Sequence, residues 1–277
     1  MKTINKYVYG LVAVLVLVCG VYSCNEDSIN NLQETTAINF VKKEMDYSGF
    51  EPNLNNPYDY VGKLHNEIVH SFMTDYSEKD LTIEEIVSIV EDIANSNEQF
   101  LNIKGDDYTP ISPSLILQGV DDFDNNFYGI IDSLRISTLA EQKLKLLMDY
   151  FFDKADSEEE PDYSEFDEYL AEFEEDILRN SNNYSPLENS ILLSAIVTAR
   201  YSTFYWYNYY KNNSANYTNY KAANDNPPQR RWWHWVIVGA ADTVGAFAGA
   251  AVNPGVAVTA ASSASTAAYT MTNPRTK

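Results

Sequence analysis

The chain has 277 residues, of which 40 are acidic and 19 are basic, so that its formal net charge is −21. This acidity argues against a nucleic-acid binder, because phosphate contacts need clustered Lys and Arg, and we expect no nucleic-acid partner. With 45% hydrophobic and 13% aromatic residues, the chain can bury a substantial core, which argues against wholesale disorder.

The N-terminus has the three parts of a secretory signal. Lys2 and Lys6 supply positive charge, the apolar run Leu11–Val18 follows, and a small residue precedes Cys24. The apolar run is too short to span a bilayer. The surroundings of Cys24 resemble a bacterial lipobox, which implies cleavage before Cys24 and lipid on its thiol. We therefore expect a signal peptide over residues 1–23 and attachment to a membrane through the lipid on Cys24.

The residues after Cys24 bear on location. Asn25-Glu26-Asp27 resembles the short acidic export tag of surface lipoproteins in Bacteroidota-type bacteria. The resemblance implies an exported protein, lipid-anchored to the outer membrane and exposed at the cell surface. The alternative is plain secretion with Cys24 unmodified. In both cases the mature chain keeps one of its two cysteines, so no intramolecular disulfide can form.

The rest of the chain is patterned for helices. Residues 24–55 are polar and Asn-rich, which predicts a flexible tether. Apolar residues at helical spacing dominate residues 56–226, and no alternating run is long enough for a sheet. We therefore predict an all-α bundle of about six to eight helices. The predicted helix starts are Asn56-Pro57 and three capping boxes, Thr82–Glu85, Thr138–Glu141 and Ser185–Glu188.

Charge is distributed unevenly along the chain. Residues 25–176 contain 37 acidic and 9 basic residues, a net charge of −28, whereas residues 177–277 contain 3 acidic and 8 basic residues, a net charge of +5. The acidic part could bind a cation or a basic partner, or it could be the solvated outer face of a helical bundle.

Few residues suggest catalysis. Glu67 and His70 have the i, i+3 spacing found in di-metal helical bundles, but the required second Glu-x-x-His copy is absent. They are weak metal candidates. A metal-dependent hydrolase that uses Glu67 and His70 is a third functional hypothesis, after a binding or scaffolding role and membrane action. His65 lies five residues before His70, on a different helical face. No catalytic constellation emerges, so we predict no enzymatic activity and no cofactor.

The region from Tyr201 to Tyr220 is dense in tyrosine. A face of aromatic rings beside amide side chains can bind a glycan or a peptide, and a protein or glycan partner is one interpretation. The other interpretation is the end of a core helix. The candidate binding face is formed by Tyr205, Trp206, Tyr209 and Tyr210.

Residues 227–277 are predicted to form a Trp-rich, Gly/Ala-rich helical hairpin. Small residues recur four apart along each arm, a spacing that lets two helices approach closely in membranes. An aromatic and basic collar at the start would contact a membrane interface. Asp242, in the middle of the first arm, favours instead a hairpin packed on the bundle. The small residues are Ala241, Gly245 and Gly249, then Ala257, Ala261 and Ser265; the collar is Arg230, Arg231, Trp232, Trp233 and Trp235.

Two short blocks, Asn56–Glu67 and Trp232–Ala251, are similar to segments of uncharacterised exported proteins of Bacteroidota-type bacteria. The resemblance implies no known activity and supplies no catalytic residues. In physical terms, Gly62 would permit close helix packing. His65 and Asn66 would hydrogen-bond a neighbouring helix.

Two functional hypotheses follow. The first is a lipid-anchored protein of the cell envelope with a non-catalytic binding or scaffolding role. The alternative is a membrane-active protein, toxin-like or pore-associated, that acts through the C-terminal hairpin.

Overall fold

The computed structural model describes residues 47–106, 108–121, 123–157, 159, 161–212 and 231–272, with the backbone alone for 118–121, 123–126, 231–233 and 272. These residues form ten α-helices, one short 3-10 helix and no strand, which confirms the predicted all-α class. The helices are α1 (Asp59–Tyr76), α2 (Ile83–Asn95), α3 (Glu98–Ile103), α4 (Pro113–Asp121), α5 (Phe123–Ser133), α6 (Thr138–Asp156), α7 (Tyr163–Arg179), α8 (Pro186–Asn212), α9 (Arg231–Ala250) and α10 (Pro254–Thr272).

Local capping chemistry sets several helix starts. The capping box of Thr82 and Glu85 is present, with Thr82 as the N-cap of α2. Glu188 and Ser185 also cap one another at the start of α8. The third predicted box is wrong by one residue: Ser137, and not Thr138, caps α6 by accepting a hydrogen bond from the backbone N–H of residue 140.

Helix α8 lies at the centre of the bundle. Every residue from Ser190 to Trp206 is buried, as expected for a helix that is surrounded by neighbours on all sides. Helices α1, α7 and α9 pack along it, and α10 packs against α9 and α1. The predicted C-terminal hairpin, formed by α9 and α10, therefore contributes to the core of the bundle.

Small residues bring α9 and α10 into backbone contact. A Cβ atom on Gly245 would lie 2.7 Å from the carbonyl oxygen of Ala260, and one on Gly249 would lie 2.5 Å from that of Val256. The spacing seen in the sequence thus serves close packing of the two arms. Within the part of the chain that the structure describes, no helix has both the length and the apolarity needed to cross a membrane.

The ordered bundle extends upstream of Asn56, which corrects the expectation of a flexible tether through residue 55. Phe50 is buried, with its ring 4.3 Å from that of Tyr201 and 5.2 Å from that of Phe204. Arg200 fixes the same segment by donating a 3.0 Å hydrogen bond to the carbonyl of Glu51. The segment is held because an aromatic side chain and a backbone carbonyl both find partners on α8. The predicted signal peptide and Cys24 lie outside the described residues.

Candidate functional site

A polar centre lies inside the bundle, where α1, α8, α9 and α10 meet. Its hub is the carboxylate of Asp242, which has no exposed surface. One oxygen, Oδ2, accepts hydrogen bonds from the Ser202 hydroxyl at 2.5 Å and the Ser265 hydroxyl at 2.8 Å. The indole N–H of Trp206 lies 3.3 Å from the same oxygen, and Nε2 of His65 also lies 3.3 Å away. A buried carboxylate needs such partners, since an unpaired charge in a protein interior is costly.

The side chain of Asn66 orients the ring of His65. The Asn66 side-chain amide donates to the carbonyl of Tyr201 at 2.7 Å, so that its oxygen faces Nδ1 of His65 at 3.0 Å. Because that oxygen only accepts, Nδ1 must carry a hydrogen. Nε2 then faces Oδ2 of Asp242 at 3.3 Å, so that the two side chains are in contact inside the core.

This centre contains Ser, His and Asp without the geometry of a hydrolase triad. In a triad the histidine accepts a proton from the serine and the carboxylate orients the histidine. Here Ser202 and Ser265 both donate to Asp242 itself. His65, Ser202, Ser265 and Asp242 have no exposed surface. In the structure they form a buried polar group that joins four helices.

The sequence block that begins at Asn56 supplies the α1 side of the interface with α8. A Cβ atom on Gly62 would lie 2.6 Å from the ring of Tyr201, and the Tyr201 hydroxyl donates a 3.0 Å hydrogen bond to Asp59. The close approach at Gly62 meets the expectation that this glycine permits close helix packing. The hydrogen bond from Asn66 to the Tyr201 carbonyl meets the expectation that Asn66 bonds a neighbouring helix. His65 reaches α9 rather than α8, at Asp242.

A second buried polar cluster, which the sequence patterns did not single out, is centred on Arg200. Its guanidinium lies 2.8 Å from the carboxylate of Glu174 and 3.5 Å from that of Asp167. The side-chain amide of Asn56 donates a 2.6 Å hydrogen bond to Glu174. Burial raises the pKa of Glu174, and the bond from Asn56 and the charge of Arg200 oppose that rise. The only sequence clue to this cluster is a charged residue within the long apolar stretch of α8.

The weak metal candidates Glu67 and His70 each contact another side chain in the structure. Glu67 accepts a 3.0 Å hydrogen bond from the side chain of Asn97, and the His70 ring lies edge-on to Tyr205, with 6.1 Å between ring centroids. Within the described ranges, no three His, Cys, Asp or Glu side chains come close enough together to hold a metal ion.

The candidate aromatic binding face is largely internal, which corrects that expectation. Tyr205, Trp206 and Tyr210 are buried, and only Tyr209 is partly exposed. The reason is α10, whose Tyr269 stacks on the Trp206 ring with 5.3 Å between centroids. The tyrosines thus belong to the contact between α8 and α10, in keeping with the core-helix interpretation.

The structure describes the side chain of only one residue of the candidate membrane collar, Trp235. Trp235 is 1% exposed and packs against Phe166, with 5.0 Å between ring centroids, and against Tyr207. It therefore contacts no membrane in this conformation, because α7 and α8 cover it. Arg230 and the side chains of residues 231–233 lie outside the described residues.

A cavity of about 340 Å³ opens to solvent between α5, α6 and α9. The rings of Phe127 and Phe152 lie 4.8 Å apart in its wall, and the hydroxyl of Tyr128 donates a very short hydrogen bond to Asp149. Sequence reasoning missed this cavity, since its residues come from three helices with no common motif. Its lining is formed by Phe127, Tyr128, Asp149, Phe152, Ala155, Asp156 and Ile237.

Comparison with known proteins gives this chain no relative: no family model, curated protein or solved structure matches it.

Proposed function

We propose that this chain is a lipid-anchored protein of the bacterial cell envelope whose helical bundle binds a partner and catalyses no reaction. Lipid on Cys24 would hold the chain at the outer membrane. The bundle would then present its outer surface to the cell exterior.

The observation that carries this proposal is that the C-terminal hairpin, formed by α9 and α10, is part of the buried core of the bundle. Asp242 has no exposed surface, and Gly245 and Gly249 face the backbone of α10. Moving this hairpin into lipid would break the hydrogen bonds of Asp242 and expose α8. Membrane attachment through a lipid on Cys24 requires neither change.

The anchoring is tested by fractionating cells that express the full-length chain or its Cys24→Ser variant. We expect the natural chain in the membrane and detergent-rich phases, with incorporation of a labelled fatty acid. The variant should be found in the soluble or secreted fraction without label. Retention of the Cys24→Ser variant in the membrane would contradict the proposed lipid anchor. The bundle would then be attached to the membrane through another part of the chain.

A second candidate function is membrane action through residues 232–271. It is favoured by the backbone contact between α9 and α10, which resembles the packing of small residues in membrane helix pairs. The test mixes residues 25–277, made without lipid, with dye-loaded liposomes and scores co-flotation and dye release. Release that is lost on deleting residues 230–277 would support membrane action. Protein that neither floats nor releases dye would support the hairpin's role as core alone.

A further inference from the structure

We propose that the outer face of α6 and α7 docks a basic amphipathic helix of a partner protein. The apolar side of that helix would lie on exposed leucines and tyrosines, and its basic side chains would lie along the glutamates of α7. This inference names a partner class for the binding role proposed above and rests on that role. It is carried by an exposed apolar stripe and by the charge beside it.

The apolar stripe begins on the outside of α6. Leu139 and Leu146 are seven residues apart on this helix and are 43% and 52% exposed. Tyr150 follows one turn after Leu146 and is partly exposed. Residues at these spacings share one helical face, and the row from Leu139 to Tyr150 is about 16 Å long. An exposed apolar group of this kind marks a docking surface, whereas a single exposed leucine needs no explanation.

Helix α7 widens the stripe with two aromatic rings. Tyr169 stacks on Tyr150 with 3.6 Å between ring centroids, and Phe173 lies 6.1 Å from Tyr169. Both α7 residues are partly exposed. Two neighbouring rows of apolar side chains suit an amphipathic helix, whose apolar anchors recur three and four residues apart. The stripe consists of Leu139, Leu146, Tyr150, Tyr169 and Phe173.

The charge beside the stripe favours a basic partner. Helix α7 has seven acidic residues and one basic residue. Glu165, Glu168 and Glu172 are exposed and are three and four residues apart, so that they line one face of the helix. Glu165 and Glu172 each lie one turn from Tyr169, next to the stripe.

Other carboxylates of α7 are already matched with cations. In the part of the chain that the structure describes, Asp167 and Glu174 pair with Arg200, and Asp176 pairs with Lys143. The row of glutamates on the outer face is therefore the part of α7 that can offer its charge to a partner.

The field of the carboxylates reaches the stripe. Burial raises the pKa of Tyr150, and the neighbouring Tyr169, Glu165 and Asp153 raise it further. A cation already uses this ring, since Nζ of Lys154 lies 5.3 Å from the centroid of Tyr150. A basic helix gains from this field, whereas a second copy of the chain would bring like charges together.

The test titrates the mature chain, made without lipid, with a synthetic peptide of leucine and lysine. The peptide has about 14 residues, or roughly 21 Å as a helix, and its leucines share one face. A control peptide has the same composition, with the leucines scattered around the helix. Calorimetry should show saturable binding of the amphipathic peptide and at least about fivefold weaker binding of the control.

Removal of the glutamate charges should weaken binding of the amphipathic peptide. The combined Glu165→Gln, Glu168→Gln and Glu172→Gln variant should lose about tenfold in affinity, since three exposed ion pairs are lost together. The matched control makes the same charge change at exposed glutamates elsewhere and should differ from the natural chain by less than about twofold. It combines Glu78→Gln, Glu84→Gln and Glu98→Gln.

Removal of the leucines tests the apolar part of the surface. Leu139→Ser combined with Leu146→Ser should also weaken binding by about tenfold, because two apolar contacts are lost. Leu101→Ser is the control, since Leu101 is 45% exposed on α3. All these positions are exposed, and circular dichroism with urea denaturation shows that each variant is folded.

The inference is overturned if the amphipathic peptide does not bind saturably or if both peptides bind equally. It is also overturned if either stripe variant binds as its control does. Sedimentation supplies one more decisive result: a dimer that becomes a monomer in the leucine variant would assign this face to a second copy. Any of these failures removes this surface and its partner class alone, because the membrane partition of the Cys24→Ser variant tests the proposed envelope role separately.

Discussion

Nε2 of His65 lies 3.3 Å from Oδ2 of Asp242, and neither side chain has any exposed surface. This contact joins the start of the folded domain, α1, to the C-terminal hairpin. Nδ1 of His65 faces the side-chain oxygen of Asn66, and Nε2 faces a carboxylate on a helix that is far away in sequence. We expect this buried contact to favour one arrangement of the helices.

Asp242→Asn should destabilise the fold. The substitution removes the negative charge of the group that accepts from two serines, and hydrogen bonds to a charged acceptor are stronger than those to a neutral amide. We expect a loss of about 2 kcal/mol in the free energy of unfolding, measured by urea denaturation. Asp75→Asn, on the exposed surface of α1, is the control and should stay within about 0.5 kcal/mol. An Asp242→Asn variant as stable as the natural chain would show that the centre contributes nothing.

Gly245→Ala should destabilise by about 1–3 kcal/mol, because the added methyl group meets the backbone of α10 and forces the two arms apart. Gly129→Ala is the matched control, since that glycine also lies in a helix but has nothing within 4 Å of an added Cβ atom. There the change should stabilise by up to about 1 kcal/mol through helix propensity. Thermal unfolding of the two variants tests the contrast, which fails if both change the melting temperature in the same direction.

Glu188→Gln should weaken the fold in a pH-dependent way. The two carboxylate oxygens of Glu188 accept from the backbone N–H groups of Ser137 and Ser185, at 2.6 and 2.7 Å. These bonds lower the pKa of Glu188 to about 2. A depressed carboxyl pKa contributes stability that is present above the usual value and is lost as pH falls toward the folded value. We expect a cost of about 2 kcal/mol at pH 7 that shrinks by pH 2–3, measured by denaturation at each pH. A cost independent of pH would contradict the role of the charge.

Lowering the pH should also destabilise the bundle through His234, over a higher pH interval than the one for Glu188. Burial lowers the pKa of His234 from 6.5 to about 4, so the folded chain binds this proton less readily than the unfolded chain. Stability is therefore retained above pH 6.5 and falls between pH 6.5 and 4, by about 1.4 kcal/mol per unit. His234→Phe should remove this part of the acid sensitivity, which is read as the difference between the two stability profiles. An NMR titration that gave His234 an ordinary pKa would exclude the mechanism.

The sequence predicted the helices well, because their signals are local. Thr82 with Glu85 and Ser185 with Glu188 cap helices as expected, and apolar spacing identified the faces that pack. The polar centre could not be predicted, since Asp242 takes its partners from three other helices. The sequence left two interpretations of the aromatic face open, a binding surface or the end of a core helix, because only the fold reveals that Tyr269 covers Trp206.

The central position of α8 bears on the order in which the fold can assemble. Its buried length is covered in large part by α9, which is synthesised after it, and α9 in turn packs on α10 near the C-terminus. A nascent chain can therefore complete the burial of its central helix only after α9 has been made. We expect a truncation that removes α10 to leave a species prone to aggregation rather than a smaller domain.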